Sequence, residues 1–175
     1  MDSPDSEATF QSVRFFDHGD GPHAILAIEA FPEIARQVGT VLACFSIIEI
    51  TTRDLLAKLL SVSQDEAGEI IWHLQSQAAR AKIIEAVAST KPDSNIKSEA
   101  RKLLGELAWA RSKRNAYAHS QYSVPADDND RRLVRIGWFA DLRRKKEWET
   151  LTPETVGQDI ERAKALIVSL WTFLK

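Results

Sequence analysis

From Ile34 to about Leu60, apolar residues recur every three or four positions, placing Val41, Leu42, Phe45, Ile48, Thr52, Leu56 and Leu59 on one stripe. That is the period of an amphipathic helix packed on a core. Glu49 falls inside the stripe, where a carboxylate is costly unless it meets a partner. Two readings are open: the rim of the core with Arg53 or solvent as partner, or a carboxylate that orients a functional arginine.

Ser63-Gln64-Asp65-Glu66 is a capping box, which starts a new helix. Helical spacing then runs through Ile70, Ile71 and Leu74, and again through Ala79, Ile83, Ile84 and Val87, with a possible break near Gln75-Ser76. After the breaker Lys91-Pro92-Asp93-Ser94, a helix starting near Asn95 carries Ala100, Leu103, Leu104, Leu107 and Ala110 on one face. The same face reaches Arg114. Arginine is rarely buried unpaired, so this face either meets a carboxylate or faces a second subunit.

Beyond an acidic loop, Asp127-Asp128-Asn129-Asp130, the period changes. Val134, Ile136 and Trp138 alternate, and 133–139 and 147–151 read as a β-hairpin around the basic tip Arg143-Arg144-Lys145-Lys146. The chain closes with Thr152 as a helix cap and Pro153 at the first helical position. The stripe that follows is Val156, Ile160, Ala163, Ile167, Leu170, Trp171 and Leu174. At the other end, residues 1–21 show little periodicity and read as a flexible N-terminal arm, with Phe15 and Phe16 as its anchors; a short helix is expected from Pro22 to Phe31. The fold class is all-α: a helical bundle over 22–175 with a small β-hairpin inserted before the C-terminal helix.

Composition narrows the chemistry. The 175 residues are 44% hydrophobic and 27% charged with a net charge of -2, an ordinary globular balance in which any basic surface must be local. The single cysteine, Cys44, lies in the first apolar stripe and reads as a buried small hydrophobe. The four histidines (His18, His23, His73, His119) have no metal-ligand spacing, so neither metal nor cofactor is expected. No uninterrupted apolar run is long enough to span a membrane and the acidic start does not resemble a signal peptide, so a cytoplasmic protein with no membrane partner is expected.

The segment Arg111-Ser112-Lys113-Arg114-Asn115-Ala116-Tyr117-Ala118-His119-Ser120-Gln121-Tyr122 concentrates the reactive side chains. Histidine can exchange a proton near neutral pH, while the planar arginine fork suits phosphate oxygens. Asn115 can position either the ligand or the histidine. These are parts for breaking an RNA phosphodiester without metal: His119 deprotonates the ribose 2′-hydroxyl and Arg114 steadies the phosphoryl charge. On a regular helix five residues leave the two side chains about 140° apart, so the helix is expected to loosen around Tyr117–His119. Cleavage usually needs a base and an acid, and a two-fold dimer would supply two histidines. Lys113, Arg131, Arg132, Arg135, Arg143 and Arg144 are candidate contacts to RNA backbone.

Arg114-Asn115-Ala116-Tyr117-Ala118-His119 resembles the R-N-x-x-x-H signature of the HEPN superfamily, and the helical layout over about residues 34–175 resembles its small stand-alone members. The resemblance implies an all-α fold that dimerises so that two Arg–His motifs form one cleft. It also implies metal-independent endoribonuclease activity, often as a toxin or in antiviral defence, with Arg114 and His119 catalytic and Asn115 beside the arginine. Other members are non-catalytic modules that bind nucleotide, RNA or protein. Some have an antitoxin partner that modifies a tyrosine two residues after the histidine; here that position is Gln121 and the tyrosine, Tyr122, comes one later. Glu49 and Tyr122 are the residues expected to support the motif from behind.

Overall fold

The computed structural model describes residues 10–11, 13–17, 22–74, 76–125, 132–136 and 148–175. In chain order these form β1 (Phe10–Gln11), β2 (Val13–Asp17), β3 (Pro22–Leu26), a 3-10 turn (Ala27–Ala30) and α1 (Pro32–Leu60). They continue as α2 (Gln64–His73), α3 (Gln77–Thr90), α4 (Ser94–His119), β4 (Gln121–Pro125), β5 (Leu133–Ile136), β6 (Trp148–Leu151) and α5 (Pro153–Leu174). The fold is mostly helical, with a small antiparallel sheet before the last helix. The chain contacts divide into two compact units, Met1–Val41 with Asn115–Asp159, and Leu42–Arg114 with Ile160–Lys175.

The second of these units is a helical bundle. Its core takes Phe45, Ile48, Leu55, Leu56 and Leu59 from α1, Ile84 and Ala88 from α3, Leu103 and Ala110 from α4, and Leu166, Ile167 and Leu170 from α5. Cys44 is buried with them. Local signals start the helices: the Ser63–Glu66 capping box opens α2, and Ser76 Oγ accepts from Ala79 N–H to open α3. α4 is tied to α5 by Arg162, which donates twice to Glu106 at 3.0 Å and stacks over the Trp109 ring at 4.2 Å. The same hydrogen bond holds the Glu106 carboxyl below its usual range.

By length and mean hydropathy (1.4), α1 would suffice to cross a membrane, although no uninterrupted apolar run announces it. Here its stripe forms the bundle core. Glu49, inside the predicted stripe, is at the rim with its side chain 48% exposed. Trp171, expected in the α5 stripe, is 55% exposed, and Leu166 takes the core position instead.

α1 ends where Ser61 turns into the left-handed region at φ 60. Val62 N–H donates to Ala57 O at 3.1 Å and Ser61 N–H to Lys58 O at 3.3 Å, the paired bonds that close a helix C-terminus. A β-carbon in that conformation is strained. Ser61→Gly is therefore expected to raise stability by about 0.5–1 kcal/mol, read as a higher denaturation midpoint at unchanged m-value.

The first unit holds the strands. β2 and β3 form an antiparallel ribbon, Val13 facing Leu26 through Asp17 facing Pro22. Thus part of the expected loose arm is strand, and the expected helix from Pro22 to Phe31 is a strand followed by one 3-10 turn. The other four strands form a sheet in the order β1-β4-β5-β6. The predicted hairpin is present, with Leu133 facing Leu151 and Ile136 facing Trp148; its basic tip lies outside the described residues. Strand alternation does not set burial in β5, where Leu133, Val134 and Arg135 are all buried in succession. Successive side chains point to opposite faces, so this central strand is shielded on both.

Candidate functional site

α4 carries the Arg114–His119 segment, and its regularity decides the geometry. The helix runs unbroken through His119 and ends within one residue, since β4 begins at Gln121. The expected loosening around Tyr117–His119 is absent. The reason is local: Tyr117 continues the stripe of Leu103, Leu107 and Ala110 and is itself only 3% exposed. Its hydroxyl donates to Asp159 Oδ2 on α5 at 2.9 Å, and Arg135 sits over its ring at 4.7 Å. Tyr122 then folds back from β4 and donates its hydroxyl to Tyr117 O at 2.7 Å, occupying one of the carbonyls a helix end leaves unpaired. Helix geometry alone therefore leaves Arg114 and His119 about 140° apart and about 7.5 Å along the axis.

On the helical unit, Arg114 Nε lies 3.8 Å from Glu49 Oε1, with both side chains well exposed (39% and 48%). Such a pair is worth less than about 1 kcal/mol, so it orients the guanidinium more than it stabilises the fold. Arg53 is not the partner of Glu49; it bonds Asp54 at 3.3 Å. Arg114 and Glu49 line a pocket of about 70 Å³ between α1, α3 and α4 that also includes Arg80 and Arg111. Arg80 carries no mark in the sequence pattern, and Arg111 lies in the reactive segment without being singled out as a site residue. Arg111 could have been found as the residue four after Leu107 and three before Arg114. Arg80, at the start of α3, gives no local signal.

On the sheet unit, Asn115 and His119 are exposed. His119 lies in an open depression with Ala118, Ser120 and Gln121 at the C-terminus of α4. Tyr122, expected to support the motif, lies at the helix end with its hydroxyl on Tyr117 O. Tyr117 and its partner Asp159 are residues that the sequence reading missed, although Tyr117 lies within the segment and on the apolar stripe.

The arginines of the hairpin separate. Arg135, expected to contact RNA, is 8% exposed, ion-paired with Glu149 and stacked on Tyr117. Burial by the central strand takes it out of a nucleic-acid surface. Arg132 and Lys113 are half-buried. Arg131, Arg143 and Arg144 lie outside the described residues. Among the described residues, no three His, Cys, Asp or Glu side chains cluster so as to hold a metal ion.

The only two tyrosines, Tyr117 and Tyr122, are both at this helix end. Burial, followed by the hydrogen bond to Asp159, raises the Tyr117 phenol far above its usual value. Burial pushes Tyr122 up to about 12, against the opposing charge of Arg135. A phenol whose folded pKa is raised adds stability that is fully present below the unfolded value, about 10, and lost as pH rises through the folded value. An absorbance titration should thus show little tyrosinate in the folded protein near pH 10–11. Its later appearance should coincide with loss of the helical signal. A tyrosine titrating at its ordinary pH in folded protein would contradict this packing. Compared with protein-family models, curated proteins and solved structures, the chain matches none.

Proposed function

We propose that the chain is a metal-independent endoribonuclease of HEPN type whose active site is composed across a homodimer, acting as a toxin or antiviral-defence effector. The observation that carries this reading is the intact Arg114-Asn115-…-His119 sequence at the exposed end of a rigidly braced helix. A catalytic histidine must be reachable and held still, and His119 is exposed on a turn fixed by Tyr117 and Tyr122.

His119 of one copy accepts the proton of a ribose 2′-hydroxyl, and that oxygen attacks the adjoining phosphorus. The bond from phosphorus to the 5′ oxygen breaks, leaving a cyclic phosphate. His119 of the second copy protonates the departing 5′ oxygen. Arg114 balances the charge on the non-bridging oxygens, and Asn115 positions the phosphate. Because one helix keeps its Arg114 and His119 apart, the arginine serving a given histidine comes from the other copy. The test is cleavage of total RNA with EDTA present, wild type against His119→Ala. Equal cleavage by the two sinks the reading.

The second reading, a non-catalytic nucleotide- or RNA-binding module, is favoured by the arginine-lined pocket, which needs no histidine. Under it, Arg114→Ala weakens binding and there is no turnover to lose.

A further inference from the structure

The pocket between α1, α3 and α4 lies wholly within the helical unit. Its floor is apolar: Phe45 from α1, Ile84 from α3 and Leu107 from α4. Its charged lining is three arginines, Arg80, Arg111 and Arg114, against one carboxylate, Glu49. Arg111 and Arg114 are one turn apart on α4, where like charges repel. Arg80 is brought to the same pocket from α3, and its Nε donates to Leu74 O at 3.1 Å. That bond orients the guanidinium and leaves its two terminal nitrogens without a hydrogen bond among the described residues. Arg111, half-buried, makes no hydrogen bond or ion pair among the described residues.

Three partly desolvated guanidiniums around one cavity, with Glu49 as its single carboxylate and that one beside Arg114, leave Arg80 and Arg111 unfavourably placed in the empty protein. An anion relieves it. Arginine forks bind phosphate oxygens in pairs, and the pocket of about 70 Å³ has room for a phosphoryl group. The apolar floor beside it suits the edge of a sugar or base. We propose that Arg80, Arg111 and Arg114 form a nucleotide-phosphate site, with the phosphoryl group held between α3 and α4 and its nucleoside resting against the half-buried Leu104 and Leu107. Only in taking RNA backbone as one source of that phosphate does this rest on the ribonuclease reading; a free mononucleotide offers the same chemistry.

The test measures binding, separately from cleavage. Labelled single-stranded RNA is titrated into the full chain carrying His119→Ala, and AMP is followed by its effect on the melting temperature at matched ionic strength. In both assays Arg80→Gln and Arg111→Gln are compared with Arg101→Gln, the same charge change at an exposed position of α4. Losing a charge-assisted hydrogen bond to phosphate should weaken RNA binding about tenfold. It should flatten the salt dependence by about 0.7 in log–log slope. Arg111→Gln should also melt no lower than its parent without ligand, because a repelling charge is gone. Effects on both RNA and AMP mark a site open to free nucleotide; effects on RNA alone mark a backbone site, and either supports the proposal. Unchanged binding in both pocket variants, or an equal loss in Arg101→Gln, overturns it. Absence of cleavage by the His119-intact protein would remove the ribonuclease reading and leave this result standing.

Discussion

His119→Ala is expected to lower RNA cleavage in the presence of EDTA by about 100- to 10,000-fold, the usual contribution of a positioned general acid or base. The fold should be unaffected. His119 is exposed at the last helical position, and the packing that ends α4 belongs to Tyr117 and Tyr122. The variant should therefore keep the wild-type circular dichroism and its melting temperature to within what a surface change allows, about 0.5 kcal/mol. Because each cleft would contain a histidine from each copy, replacing both removes base and acid together. A variant that cleaves as well as the wild type would place the activity elsewhere or in a contaminant. One that unfolds would show that His119 also helps to hold the end of α4.

Tyr117→Ala should have the largest effect on stability, about 3–5 kcal/mol as for other buried aromatics. Tyr117 is 3% exposed, and three interactions go with it: the bond to Asp159, the stacking of Arg135 and the packing under the α4 stripe. Domains of this kind have only about 5–15 kcal/mol in total, so the variant should unfold at markedly lower denaturant. Tyr117→Phe separates the hydroxyl from the ring. It keeps the packing and should lose about 1 kcal/mol, the net value of one hydrogen bond. Activity should follow the same order, since the brace that fixes the helix end is what holds His119. An alanine variant as stable as wild type would mean that the ring is not the anchor of this turn.

Much of the helical part was legible in the sequence because its causes are local. The stripe from Val41 to Leu59, the Ser63 capping box and the Thr152-Pro153 start of α5 all rest on residues a few positions apart, whereas the pattern left open whether the stretch around Gln75-Ser76 is one helix or two. The hairpin of β5 and β6 was legible for the same reason. The strands β1 to β3 were not. β1 is two residues long and pairs with β4 far along the chain, Phe10 against Pro125, which no local pattern encodes. The β2–β3 ribbon left one trace, Gly19-Asp20-Gly21 between the two strands, a composition that suits tight connections.

At the site, Arg114, Asn115 and His119 were legible as residues but their geometry was not. The tendency of Tyr-Ser-Val-Pro to end a helix was set against the anchoring of Tyr117 by α5 and β5, and the anchoring won. Arg135 looked like one of a run of surface charges. Its place in the middle of a sheet, with Glu149 as cross-strand neighbour, depends on pairings the run itself does not reveal. Arg80 came into view only once α3 was placed beside α4.

The left-handed Ser61 at the end of α1 has a use apart from its own strain. It and Tyr117 share no hydrogen-bond or ring partner among the described residues, so changes at the two positions should add nearly independently. Ser61→Gly then supplies a host background with a wider thermal working range. In that host, weakened variants of the α4 brace can be assayed while still folded, so that lost chemistry is told apart from lost protein.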